Sequence, residues 1–235
     1  MNRLSYMDQN FEAISTLIHE AEKRVDREGV RLIAAVKYTD AEHINYLHRE
    51  LGVNDVGENR VQQLLEHWET VDREGLNFHF IGKLQTNKVK YIADKVCMIH
   101  SLDSLRLAAE IERQMAKLGR TMDVLVEINS GAEENKSGVA PEEAADFCAA
   151  LADFEHLRLC GFMTMAPKCE EKEEYRKFFQ ETFRIGLDIW SKTLHNIGRP
   201  LFSMGMSESF EIAIEEGADM VRVGRSLFAD PSLHT

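Results

Sequence analysis

No stretch of the sequence approaches the roughly 18 continuous apolar residues of a membrane-spanning helix. The N-terminus, MNRLSYMDQNFEAI, also lacks the apolar core of a secretory signal. A basic excess is missing as well: 28 lysines and arginines stand against 40 aspartates and glutamates, a formal charge of -12. That balance works against a phosphate backbone as the main partner. The four cysteines, Cys97, Cys148, Cys160 and Cys169, show no C-x-x-C spacing and no histidines arranged as a zinc site requires, as suits a reducing compartment. No internal repeat, linker or low-complexity tract marks a second domain. The expectation is a soluble, cytoplasmic, single-domain chain over 1–235, binding neither nucleic acid nor membrane and holding no metal.

What is present is an alternation. At 235 residues, 44% of them apolar, the chain can bury a substantial core. Eight short apolar runs read as strands: 32–36, 53–56, 78–81, 96–100, 124–128, 157–163, 201–205 and 220–223. Helical patterns fall between them at 40–50, 59–72, 104–118, 141–152, 172–195 and 209–217, with a short turn near 86–92. Leu107, Ile111, Met115 and Leu118 form one helical stripe, and Phe179, Phe183, Gly186, Leu187 and Trp190 another. Pro141, followed by two glutamates, suits a first helical turn. Ahead of the first strand, Met7, Phe11, Ile14, Ile18, Ala21 and Val25 step along one face of a further helix. Eight β-then-α units in this length predict a single α/β (β/α)8 TIM barrel with an extra N-terminal helix; a doubly wound open sheet is the alternative.

In such a barrel, chemistry gathers at the C-terminal ends of the strands. Lys37 ends the run LIAAVK, either as a lysine snorkelling to the surface or as a partly desolvated amine able to condense with an aldehyde. The last two strands are followed by Ser207 and by Gly224-Arg225, loops suited to an anion. Ser207 also reads as a plain N-cap for the helix after it. The segment SMGMSES resembles a hydrolase nucleophile turn only loosely: Ser209 stands where that turn has glycine, and only His234 follows Ser207. Arg222 interrupts the strand MVRV. Alternation turns it into the barrel, where it must pair internally, with a residue such as Glu127, or serve a ligand.

Taken in order, Lys37, GENRVQ (57–62), FIGKLQTNK (80–88), the loop from Asn129 to Gly138, GFMTMAP (161–167), SMGMS (203–207) and VRVGRSLF (221–228) resemble the pyridoxal-phosphate homeostasis protein family. That family is similar to the barrel domain of alanine racemase. The resemblance implies that Lys37 holds pyridoxal 5'-phosphate (PLP) as a covalent Schiff base. It implies that Ser207, Gly224 and Arg225 hold the phosphate, that Arg222 faces the pyridine nitrogen and that Asn59 lines the mouth. Lys136 matches a family lysine making a secondary cofactor contact. The sequence departs from the common pattern at Val36, where many members carry serine or threonine, at Lys83 for a frequent histidine, and at Ala229 after Phe228. The implied function is non-catalytic carriage or buffering of PLP, affecting amino-acid and keto-acid pools. PLP-dependent apoenzymes are the implied partners, and the chain is expected to be a monomer or weak dimer. An amino-acid racemase is the alternative, weakened because no second domain offering a catalytic tyrosine follows the barrel.

Overall fold

The structure, a computed structural model, describes residues 3–37, 39–131, 137–193 and 198–230. Its eight strands are β1 (Arg31–Ala35), β2 (Asp55–Glu58), β3 (Asn77–Phe80), β4 (Met98–Leu102), β5 (Met122–Ile128), β6 (Leu157–Thr164), β7 (Leu201–Ser203) and β8 (Met220–Val223). Each pairs in parallel with the next, and β8 closes on β1, so the sheet is the expected barrel rather than an open one.

The helices are α1 (Tyr6–Arg24), α2 (Ala41–Arg49), α3 (Val61–Thr70), α4 (Val89–Ile92), α5 (Leu105–Leu118), α6 (Ala144–Ala150), α7 (Tyr175–Thr193) and α8 (Phe210–Glu215). Within the described residues no helix follows β8. Its place in the ring is taken by α1. Arg24 of α1 reaches Glu215 of α8 at 2.7 Å, while Tyr6 meets His43 of α2 at 3.1 Å and Asp8 accepts from Tyr46 of α2 at 2.8 Å. The N-terminal helix therefore completes the barrel instead of decorating it.

Strand alternation sorts side chains into two shells. Ile33, Met98, Leu125, Met163 and Met220 fill the barrel interior. Their strand neighbours, such as Ala34, Val124, Phe162, Phe202 and Val221, pack under the helices. Phe162 and Phe202 stack there at 6.0 Å between centroids, each contributing roughly 1.5–3 kcal/mol by leaving water.

One local expectation holds and two shift. The 3–10 turn Thr86–Lys88 runs directly into α4, as the short turn near 86–92 suggests. Pro141 does not open α6: Glu143 N–H bonds back to Ala140 carbonyl, a tighter i→i+3 turn, and the helix starts at Ala144. Leu118 and Leu187 lie 43% and 38% exposed. Leu118 is the last residue of α5. Leu187 sits about 80° round its helix from Phe179 at 100° per residue; Trp190 is buried as expected, and Thr182 and Ile189 are buried in place of Leu187.

Candidate functional site

The sequence-selected residues gather at one end of the barrel, on four consecutive strands. Arg222 lies opposite Ile33 in the β8–β1 pairing, and Lys37 follows two residues after Ala35. Ala35 in turn pairs with Gly57 of β2, so Lys37 and Asn59 stand at one level on neighbouring strands. Lys37 lies in the turn just past β1, and it is exposed rather than partly desolvated. The mouth gives this amine position without burial. Asn59 is half-buried just past β2. Lys136 lies outside the described residues, as does Tyr38 beside Lys37.

Beyond β7, Gly205 adopts φ +88 and turns the chain; a Cβ there would stand 2.6 Å from Cβ of Ala213. The turn that follows is closed by Ser209 N–H and Phe210 N–H on the Met206 carbonyl, at 2.8 and 2.9 Å. Hence the N-cap of α8 is Ser209, not Ser207, and α8 begins only at Phe210. Ser207 sits two residues earlier, half-buried in the turn, free of the capping role.

The loop after β8 lies alongside. Gly224 approaches β1 so closely that a Cβ would meet the Ala35 carbonyl at 2.6 Å. Asn10 of α1 donates its side-chain amide to the Leu227 and Ala229 carbonyls at 3.1 and 2.9 Å, fixing the far end of this loop. The Arg225 side chain is 83% exposed and pairs with Glu208 at 2.6 Å, joining the two loops at their rim. That pair, being exposed, is worth at most about 1 kcal/mol. Among the described residues, the amide N–H groups of Ser207, Glu208, Gly224, Arg225 and Ser226 donate to no other group. Ser226 Oγ is shut off from water with no hydrogen-bond partner. Two adjacent loops thus present unsatisfied donors, the arrangement that holds an anion.

Below this rim, Arg222 is buried at 3% exposure. Its guanidinium donates to the Ser203 carbonyl and hydroxyl, both at 2.7 Å, and to the Thr164 carbonyl at 2.8 Å. The internal ion pair with Glu127 does not form; Glu127 acts on the guanidinium only through space. Burial lowers the Arg222 pKa to about 10, partly countered by that distant carboxylate. Glu127 instead accepts from Ser137 at 2.9 Å, and its second oxygen is buried without a partner. Burial pushes its carboxyl above the ordinary range.

Sequence reasoning missed what Ser203 leads to. Its hydroxyl meets His100 Nδ1 at 3.0 Å, His100 Nε2 meets His79 Nδ1 at 2.9 Å, and His79 Nε2 meets Asp55 at 2.9 Å. The available signal was the one that exposed Arg222, a polar residue inside an apolar strand: His79 in FHFI and His100 in VCMIH. Among the described residues no cluster of His, Cys, Asp and Glu is arranged to hold a metal, and no helix is long and apolar enough to cross a membrane.

Comparison with known proteins agrees with the barrel fold. The family described as alanine racemase, N-terminal domain, matches residues 9–231. The pyridoxal phosphate homeostasis protein of Aquifex aeolicus is 38% identical over 224 residues, covering 93% of this chain and 97% of that protein. The structure of PipY from Synechococcus elongatus PCC7942 with PLP bound superposes with a TM-score of 0.78 at 28% identity, covering 90% of this chain and all of that one. Alanine racemase of Clostridium difficile 630 superposes at 0.72 with 19% identity, covering 95% of this chain and 57% of that one, a likeness of fold alone. The chain belongs to the pyridoxal phosphate homeostasis protein family, within the wider alanine racemase N-terminal-domain group.

Proposed function

We propose that this protein binds PLP in the barrel mouth and carries or buffers it for PLP-dependent apoenzymes, without turning over a substrate of its own. The observation that carries the reading is the pair of loops after β7 and β8. Three of their five unpaired amides follow β8, the strand paired with the one that leads to Lys37, and the other two lie in the adjoining loop after β7. The relatives named above, one of them with PLP bound in its structure, support it.

When bound, PLP supplies an aldehyde, an aromatic ring with a basic nitrogen, and a phosphate ester. The residues present fit each part. Ser207 and the amides of Gly224 and Arg225 suit the phosphate, because donors left unsatisfied by the fold cost nothing to turn toward an anion. The Lys37 amine, placed by β1 and exposed at the mouth, suits the aldehyde. Arg222, held by Ser203 and Thr164, suits the ring nitrogen, with Asn59 beside it and Lys136 as a secondary contact. A guanidinium only donates hydrogen bonds, so beside the ring it discourages protonation of the nitrogen and keeps the ring a poor electron sink. That favours holding the group over carbanion chemistry.

The test begins with purified protein and PLP. The sample should turn yellow, borohydride should fix the added mass on Lys37, and Lys37→Ala should lose the lysine-dependent absorbance while melting within about 0.5 kcal/mol of wild type, as an exposed side chain implies. A colourless wild type overturns the reading. Loaded protein should pass PLP to an apoenzyme in the presence of a trap for the free cofactor. Sustained solvent-deuterium incorporation at the α-carbon of alanine or serine would overturn the non-catalytic part.

A further inference from the structure

The barrel interior is apolar where it faces Leu125, Met163 and Met220, yet a line of polar side chains runs through it. Pairing register shows that the line climbs. Asp55 pairs with Asn77, two residues before His79; His79 pairs with Met98, two residues before His100; Ser203 pairs with Met220, two residues before Arg222. The line therefore leads from the first residue of β2, at the face opposite the site, up and across the barrel to the guanidinium under the mouth. His79 is 2% exposed, and His100 and Ser203 are fully buried.

We propose that His79 and His100 are positioning residues: with Ser203 they form a one-way hydrogen-bond chain that anchors the Arg222 guanidinium on the Asp55 carboxylate at the opposite end of the barrel. The direction follows from what each group is able to do. Arginine only donates, so Ser203 Oγ accepts from it at 2.7 Å. The one proton of that hydroxyl then goes to His100 Nδ1, at 3.0 Å. Burial, and then the positive groups around it, hold the His100 pKa well below its usual value, so the ring is neutral and carries its proton on Nε2. That N–H donates to His79 Nδ1, which fixes the His79 proton on Nε2, facing Asp55 Oδ1. Asn77 donates to the same oxygen at 3.2 Å. Burial opposes ionisation of Asp55, but the hydrogen bonds from His79 and Asn77, with the charge of Arg31, outweigh it, and its carboxyl lies below the usual range. Every member is satisfied in this direction. The opposite direction would leave the Ser203 proton without an acceptor in the chain.

Fold stability alone does not call for such a chain, since buried polar networks repay their desolvation only when complete and apolar neighbours already fill the same interior. What an apolar filling would not provide is a fixed guanidinium. The reach of this array to a cofactor ring rests on the function proposed above; its effect on Arg222 does not.

The test uses the full chain labelled with ¹⁵N-histidine and ¹⁵N-arginine. Long-range ¹H–¹⁵N correlation should show His79 and His100 neutral with the proton on Nε2, and the Arg222 guanidinium protons should exchange slowly. His100→Leu and Ser203→Ala, each checked for folding by circular dichroism, should speed that exchange about tenfold, the loss of roughly one hydrogen bond's worth of protection. Ser203→Thr, which keeps the hydroxyl, should restore it, and Asp55→Asn, which keeps an acceptor, should preserve the tautomers that Asp55→Leu releases. A proton on Nδ1 of either ring, or unchanged exchange at Arg222 in the folded variants, overturns the proposal. With PLP added, His100→Leu should shift the absorbance maximum of the bound cofactor. A wild type that gains no chromophore sinks the cofactor reading, while the tautomers and the exchange rates still decide the chain.

Discussion

Gly205→Ala separates the shape of the anion cup from its chemistry. Two penalties meet at this residue. Its φ of +88 is a conformation that an L side chain resists, worth roughly 1–2 kcal/mol. A new Cβ would also stand 2.6 Å from Cβ of Ala213 and 2.8 Å from Cα of Phe210, both on the rigid start of α8, so overpacking adds roughly 1–3 kcal/mol. The sum is about 2–5 kcal/mol, or about 5–15 °C in Tm for a chain of this size. Two other glycines supply the controls. Gly119 has φ +60 with open space around it, so Gly119→Ala reads the backbone penalty alone, roughly 1 kcal/mol. Gly198 has open space and no positive φ, so Gly198→Ala should fall within about 0.5 kcal/mol of wild type. Thermal melts should rank the three in that order. Because relief of the contact pushes the 206–209 turn away from the loop after β8, Gly205→Ala should also weaken PLP binding more than tenfold, about 1.4 kcal/mol, while the two controls leave it unchanged. Equal melting of Gly205→Ala and Gly119→Ala would refute the steric part. A destabilised Gly205→Ala that binds PLP like wild type would refute the claim that Gly205 shapes the cup.

Two further outcomes follow from particular contacts. Asn10→Ala removes both side-chain bonds to the carbonyls of Leu227 and Ala229, so it should cost about 1–2 kcal/mol in denaturant melts and weaken PLP binding by loosening the loop from its far end. The Glu127 carboxyl, raised by burial, holds its proton more tightly in the folded chain than in the unfolded one, so its ionisation weakens the fold as pH rises above the ordinary carboxylate range. Glu127→Gln keeps an oxygen for Ser137 and carries no charge. It should therefore melt above wild type at pH 7, with the gap closing as pH falls toward 4; a gap independent of pH would show that the Glu127 charge is not what destabilises.

The barrel was legible because its strands are covered on both sides. Runs such as LIAAV and VLVEI are nearly continuous apolar segments, the pattern of parallel strands lying beneath helices, and the polar residues just past them mark the mouth. Ends were less legible than middles. VNDV reads as a strand over 53–56, whereas pairing with β3 draws Gly57 and Glu58 into the ladder. The role of α1 was hidden for a different reason. Its stripe shows that one face is buried, but that it fills the slot after β8 depends on contacts with α8 and α2, made by residues such as Glu215 and His43 that are remote from it in the chain.

The same distinction explains the site. Lys37, Asn59, Ser207, Arg222, Gly224 and Arg225 are found at one end of the barrel because position along a strand is a local property, and every strand of a closed parallel barrel points the same way. Partners are not local. Arg222 signalled that something inside the barrel must satisfy it, and the nearest candidate by charge was Glu127; the register instead brings it to Ser203 and the Thr164 carbonyl. A guanidinium is satisfied by neutral oxygens when enough of them are aimed at it, so the search for an opposite charge looked one bond too near. The carboxylate in this system is Asp55, reached only through Ser203, His100 and His79. Those three residues come from three strands, and each alone looks like an isolated polar interruption. Only the stagger of the closed barrel places them in a line, so a polar residue within a buried strand states that a partner exists while the shear of the sheet decides which one it is.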